Sequence, residues 1–355
     1  MHIFYTSSYD TSIYLQQPEQ NAGRDEILEV GKLYYGTSKD IARTLIKFDV
    51  SNLETGSGWK AYLNLKAYKS EEIPVEYTIY SNAVSQSWTM GTGTKFDNVT
   101  SDGASWNYKN GTNKWMDYTV IPNSYVSGSD TGSILNGGGG TWYTASMASQ
   151  SFNNESDDVR MDVTNIVNLW IGSSLPNNGF VIHHSLTAEN DIQDYGVLKF
   201  FSKETNTIYE PKLELVYSDE IYNTGSLLPV TGSADDDYKV ILTNLKTKYP
   251  KDSKIKLRVK GRDMYPIKSF GTTFEYDQNK YLPENTYYQL EDYITGDIIF
   301  PFGDYTKISC DETSNYFIIN LNTLPISREY KIKLKIVDSD NISTIIDDKL
   351  MFEIV

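Results

Sequence analysis

The stretch ARTLIKFDVSNL, residues 42–53, decides how the rest of the chain is read. It sets Arg43, Lys47 and Asp49 within seven residues, which is either the start of a site or the wet side of a strand. Thr44, Ile46, Phe48 and Val50 recur at period two, and Arg43, Leu45, Lys47 and Asp49 take the alternate positions. Successive strand side chains point to opposite faces, so the spacing predicts a strand that buries the first set and solvates the second. Ile46 and Phe48 are expected in the core, and Arg43 and Lys47 at the surface or a strand edge. Turn chemistry follows at Asp49-Val50-Ser51-Asn52.

The same rhythm recurs on both sides of this stretch. Tyr9–Leu15, Glu26–Leu33, Trp59–Tyr68, Val75–Ser81, Val197–Ser202 and Lys212–Tyr217 read as strands, and so does NNGFVIHH at 177–184. One short helix interrupts them. Val163, Ile166, Val167 and Trp170 fall at helical spacing, with Asp162 or Thr164 as the N-cap and Gly172 as the stop. Residues 83–160 are rich in Gly, Ser, Thr and Asn, yet hold Trp88, Trp106, Trp115 and Trp142. This composition predicts an ordered, elaborated loop region pinned by aromatics. Loops of the length of 83–150 usually carry contacts. The four tryptophans form a candidate interaction surface, a stacking platform for sugars. The plainer reading, in which they anchor loops to a sandwich, is preferred, because large exposed aromatic patches are uncommon. The GGGG run at 137–140 is followed by Thr141-Trp142 and lacks the Lys-Ser/Thr of a phosphate cradle, so it reads as a loop before a strand.

After Tyr217 the pattern breaks. SDEIYNTGSLLPVTGSADDD, residues 218–237, follows neither period and is expected to be a linker. Its acids Asp235–Asp237 lack the spaced Gly and Glu of a calcium loop. From Tyr238 alternation resumes in YKVILTNL, SKIKLRVKGRD, YFIINLNTL, EYKIKLKIVD and KLMFEIV. About six or seven short strands fit an immunoglobulin-like sandwich, although the Cys…Trp…Cys spacing is missing. The chain is thus expected to be all-β. A jelly-roll-like β-sandwich with one short helix and long loops spans 1–217, a linker 218–237, and an Ig-like β-sandwich 238–355.

Composition narrows the function classes. Among 355 residues the formal net charge is −15, which argues against nucleic acid or an anionic membrane as partner and favours solubility or a basic partner. Cys310 is the single cysteine, so no intrachain disulfide forms and a buried hydrophobe is expected there. His2, His183 and His184 are the three histidines, too scattered for a zinc cluster. His183 and His184 are neighbours on a strand and point to opposite faces. No Gly-x-Ser-x-Gly elbow or His-Glu-x-x-His helix occurs, and adjacent acids such as Asp25-Glu26 read as solvated surface. No apolar run approaches the roughly 20 residues of a membrane span. The opening MHIFYTSSYDTSIYLQQ lacks the basic and apolar regions of a signal peptide. No catalytic, cofactor or metal residues are expected.

Seven phrases appear in an order that carries a resemblance: DTSIYLQQPEQNAGRDEILEVGK, ARTLIKFDVSNL, SQSWTMGTGTKFDN, GASWNYKNG, DVTNIVNLWIGSSLPNNGFVIHHS, LKFFSKET and YEPKLELVY. Over roughly residues 1–217 the chain resembles the DNRLRE-type β-sandwich domain, as it occurs in virion proteins of tailed bacteriophages. The later YPIKSFGTTFEYDQNKYLPENTYYQLEDYITGDIIFPFGDYTKIS and NYFIINLNTLPISREYKIKLKI resemble a domain that follows the first one in phage structural proteins. The resemblance implies a non-enzymatic structural component of a virion, in the neck or collar, tail or baseplate, made in the host cytoplasm. Its partners would be other virion proteins and copies of itself in a symmetric assembly, with no cofactor. DNRLRE-type domains of cell-surface and secreted proteins resemble carbohydrate-binding modules. That gives the alternative, an adhesion module recognising a host-surface glycan.

Overall fold

The computed structural model describes residues 1–36, 38–53, 58–68, 76–115, 138–152, 158–234, 236–265, 279–322, 324–338 and 341–355. Val75, Gly137, Asp235 and the 116–137 part of the expected loop region lie outside the described residues. The fold is all-β, with two short helices among the described residues. It divides into two compact units, one of Tyr5–Glu54 with Lys60–Glu214, the other of Met1–Phe4 with Thr55–Trp59 and Leu215–Val355.

The strands in the first half of the chain are β1 (His2–Tyr14), β2 (Ile27–Tyr35), β3 (Ser38–Phe48), β4 (Lys60–Leu65), β5 (Tyr77–Val84), β6 (Trp142–Phe152) and β7 (Val159–Asp162). After helix α1 (Thr164–Ile171) come β8 (Phe180–His184), helix α2 (Leu186–Asn190), β9 (Gly196–Phe201) and β10 (Lys212–Val216). They form one ten-stranded sheet in the order β6-β5-β8-β3-β1-β10-β4-β7, with β2 joining β3 to β9. The sheet forks at β3. One edge of β3 pairs with β1, from Ala42↔Tyr14 to Phe48↔Ser7. The other edge is shared, with Ser38–Ala42 against β2 and Thr44–Ile46 against β8. Beyond β4, Ala67 bridges to Phe200 of β9, so the hydrogen-bonded path curls back on itself.

The fork corrects the reading of 42–53. Thr44, Ile46 and Phe48 are buried as expected, and the ring of Phe48 meets Phe180 edge-on, with Trp170 of α1 beyond it. The opposite face is not wet. Ile41 and Leu45 on that face belong to a second apolar cluster, and Arg43 between them is fully buried. Only Lys47, half-buried, and Asp49, exposed, keep the solvated positions predicted for that face. A strand at a sheet fork is covered on both sides, so alternation marks two cores here rather than core and solvent. The loop reading of 83–160 is also corrected, since β6 lies inside it and β7 begins at its end.

Neither expected residue caps helix α1: its N-cap is Val163, with no side-chain cap hydrogen bond, while Asp162 just before it accepts from the backbone N–H (3.0 Å) and the hydroxyl (2.6 Å) of Thr164. It buries Ile166, Val167 and Trp170 and ends at Gly172, as the spacing predicts.

The second half holds β11 (Leu228–Pro229), β12 (Tyr238–Leu242), β13 (Lys248–Tyr249), β14 (Lys254–Asp263), β15 (Lys280–Tyr281) and β16 (Thr286–Asp292). β17 (Ile298–Phe300), β18 (Ser309–Cys310), β19 (Asn315–Asn320), β20 (Arg328–Val337) and β21 (Ser343–Ile354) follow. A six-stranded sheet runs β11-β15-β14-β19-β18, with β12 also on β14, and a five-stranded sheet runs β13-β21-β20-β16-β17. Leu257, Val259 and Phe317 of the first sheet share a core with Tyr288, Ile332 and Phe352 of the second. The rings of Tyr288 and Phe317 stack between the sheets at 4.4 Å. Cys310 is buried, as expected.

The segment 218–237 is not a linker. Tyr222 bridges to Cys310, the Asn223 N–H donates to the Cys310 carbonyl (3.0 Å), and β11 pairs in parallel with β15. Its side chains follow neither period, yet its backbone groups find strand partners, and burial requires such partners for backbone polar groups.

Candidate functional site

The buried Arg43 is the centre of the most concentrated polar cluster in the N-terminal unit. Its Nε donates to Oε1 of Glu189 (2.9 Å) and Nη2 to Oε2 (2.5 Å), a two-pronged ion pair with both side chains sealed from solvent (0% and 1% exposed). Nη1 donates to the Gly139 carbonyl (2.6 Å). The guanidinium lies between two indoles, 4.8 Å from the ring centre of Trp106 and 5.0 Å from that of Trp142. Arginine suits this place because its planar fork stacks on aromatic faces and binds a carboxylate through two parallel hydrogen bonds.

Three local features bring the partners together. Ser185 caps α2 by accepting from the Ala188 N–H (3.0 Å), and the short helix delivers Glu189 inward. Gly139 has φ +82°, and a Cβ there would sit 2.4 Å from Arg43 Nη1 and 2.8 Å from the Trp106 ring. Only glycine lets the loop approach the guanidinium this closely. β6 then begins at Trp142, whose ring the loop brings to 5.0 Å from the cation.

The four tryptophans taken as a candidate interaction surface therefore lie in the core. Trp88, Trp106, Trp115 and Trp142 are 2–6% exposed and share one apolar cluster with Ile13, Ile41, Leu45 and Val181. Trp88 Nε1 donates to the Asn178 carbonyl (2.7 Å), and Trp115 Nε1 to that of Ser105 (3.0 Å). A sugar needs an open aromatic face, and none of the four presents one.

The two neighbouring histidines belong to the same interior. His183 stacks on Trp142 at 4.5 Å, and its ring nitrogens face the His184 carbonyl (2.5 Å) and Asn82 Oδ1 (3.1 Å). Burial and the Arg43 charge outweigh the carbonyl hydrogen bond and hold its pKa down to about 3. His184 is held down to about 4 by burial and by the charge of Lys32. Lys32 is itself fully buried. Its Nζ donates to the carbonyl and Oδ1 of Asp191 (both 2.9 Å) and to the Gln193 carbonyl, between the rings of Tyr34 and Tyr195. The sequence reading missed Glu189 and Lys32. For Glu189 a signal existed, the Ser185 cap ahead of Leu-Thr-Ala-Glu-Asn.

At the surface, a cleft of about 270 Å³ is lined by Glu29, Leu33, Tyr35, Asp40, Lys95 and Lys199, with Tyr14 in its wall. Lys95 bridges it, with Nζ 2.6 Å from Glu29 Oε2 and 4.2 Å from the centre of the Tyr14 ring. Partial burial raises the Asp40 carboxyl pKa, with Lys95 pulling the other way and Glu29 adding to the rise. Tyr35 at the rim is 66% exposed. This arrangement of an open aromatic ring, two carboxylates and two ammonium groups can take hydrogen bonds from, and give them to, a polyhydroxylated ligand.

Among the described residues no helix is long and apolar enough to cross a membrane. No known protein family and no curated protein matches the chain. Among solved structures, a DUF4785 family protein from Legionella pneumophila aligns with 99% of this chain and 61% of its own length, at 8% identity and a TM-score of 0.21. The chain thus spans less than two thirds of that protein.

Proposed function

We propose that the protein is a non-enzymatic structural subunit of a tailed-phage particle, made in the host cytoplasm and resident in the virion. It works through contacts with other particle proteins and with copies of itself in a symmetric assembly. The observation that carries the reading is the Arg43 cluster. Arg43, the buried charge of the stretch 42–53, is consumed in fixing the glycine loop and α2 to the central strand. α2, held in this way with Thr187 exposed, is a preformed contact surface, and preformed surfaces lose less ordering entropy on docking. The ordered resemblance of seven phrases to virion β-sandwich domains supports the particle as the setting. Antibody raised against the pure protein is expected to label intact particles at one fixed position. Unlabelled particles beside labelled soluble fractions would end this reading.

A second reading, a glycan-binding module, is favoured by the cleft at Tyr35, Asp40 and Lys95. On a glycan array, binding that Tyr35→Ala abolishes is the expected sign of it. Binding that survives Tyr35→Ala excludes this cleft.

A further inference from the structure

We propose that the outward face of β14 and β12 docks an extended acidic polypeptide through Lys239, Lys260 and Arg262. β14 buries Ile255, Leu257, Val259 and Gly261 on one side and turns Lys254, Lys256, Arg258, Lys260 and Arg262 to the other. Five cations in alternate positions stand out in a chain of net charge −15. The lower part of the row is answered internally, because Asp311 binds both Lys256 (3.0 Å) and Arg258 (2.9 Å). The upper part is not. Lys239 of β12 lies directly opposite Arg262, and Ile241 opposite Lys260. Like charges directly opposite across a strand pair are unfavourable. Lys239, Lys260 and Arg262 have no ion-pair partner among the described residues. Arg262 Nε is shut off from solvent and meets no hydrogen-bond acceptor there.

A like-charge pair retained on an outward face, with no carboxylate to answer it among the described residues, is the charge pattern of a surface completed by an anion. Spacing identifies the class of anion. Lys260 and Arg262 are two residues apart on a strand, so their side chains leave it about 6.7 Å apart. Carboxylates at alternate positions of an extended peptide repeat at the same distance, because they too stand on a strand. Ile241, partly exposed between the cations, offers the peptide an apolar contact. The proposal deepens the reading of the protein as a contact subunit by giving the chemistry of one partner. Peptide binding by pure protein is independent of whether particles carry the chain, so the two readings fail separately.

The test uses the full chain and two decapeptides of equal charge, one alternating Glu and Thr, the other with its Glu and Thr in separate blocks. Isothermal titration at low salt is expected to show tighter binding of the alternating peptide, weakening as salt rises. Lys239→Glu and Lys260→Glu are each expected to weaken it about tenfold or more, since they set like charges against the peptide. Lys60→Glu, the same charge change at the exposed first residue of β4, leaves it unchanged. Without peptide, Lys239→Glu is expected to raise the melting temperature, because it turns a like-charge pair into an ion pair. Equal affinity for both peptides, unchanged binding in the two variants, or a lowered melting temperature in Lys239→Glu would overturn the proposal. Preference for a polyphosphate chain of matched charge would assign the face to a phosphate polymer instead.

Discussion

At the scale of single residues, Arg43 decides how the opening stretch is understood. A buried ion pair contributes little net stability as a pair, but removing one partner leaves the other charged and desolvated. Arg43→Met is therefore expected to cost about 3–5 kcal/mol, and Arg43→Met with Glu189→Met much less than the two single changes added together. Urea unfolding of the four proteins measures this coupling, and additive costs would contradict it. The histidines make a pH prediction. Their folded pKa values, about 3 for His183 and about 4 for His184, lie below the ordinary 6.5, so the unfolded chain binds these protons first. Their contribution is complete above pH 6.5 and is lost as pH falls toward 4 and 3. Asp10, pushed up by burial to about 6 from 3.8, acts the other way and recovers part of the loss between those values. The urea midpoint of the N-terminal unit is expected to fall between pH 7 and 4, and to fall less in His183→Gln/His184→Gln. Ile46 and Phe48 were legible as core because periodicity reports burial. Arg43 was not, because an arginine in a strand ordinarily marks solvent and its partner lies 146 residues away.

At the scale of elements, α1 was legible from its spacing, whereas five-residue α2 is too short for a helical period to show. The start of β6 was legible from the glycine loop before it, but its run WYTASMASQSF lacks a clean apolar alternation, and its place in the sheet comes from pairing with β5, from Phe152↔Tyr77 to Trp142↔Val84. The order in the loops between 85 and 115 has one main source, the buried side chain of Asn21. Its Nδ2 donates to the carbonyls of Met90 (2.7 Å) and Ala104 (2.8 Å), and its Oδ1 accepts from the N–H groups of Gly93 (2.9 Å) and Gly23 (3.2 Å). Asn21→Leu strands these four backbone groups. The expected cost is at least about 3 kcal/mol, since one buried unsatisfied group costs about 1–3 kcal/mol. Hydrogen exchange is expected to quicken first at Gly93 and Gly23, whose N–H groups lose their acceptor. Unchanged protection there would remove Asn21 from this role.

At the scale of the whole molecule, the change near residue 215 was legible from the loss of both periods. The membership of the first four residues was not, because strand β1 runs on unbroken in sequence. Phe4 packs into the C-terminal core and stacks on Phe300 at 5.9 Å, and His2 stacks on the same ring at 4.9 Å. Phe4→Ala is expected to destabilise the unit of residues 215–355 by about 3–5 kcal/mol, as for other large-to-small core changes. β16 and β20 are central strands of that unit, so hydrogen exchange of their amides in rising urea follows its unfolding. A transition unchanged by Phe4→Ala would contradict the assignment. The central proposal joins these scales: charges inside the sheet fix the elements of the N-terminal unit, and the chain is proposed to serve as a particle subunit. Quantitative mass spectrometry of density-purified phage particles tests it most directly. The account expects the chain at a fixed whole-number ratio to the other particle proteins, unchanged through repeated high-salt washing. Its absence from particles, or a ratio that drifts with each wash, would contradict the account.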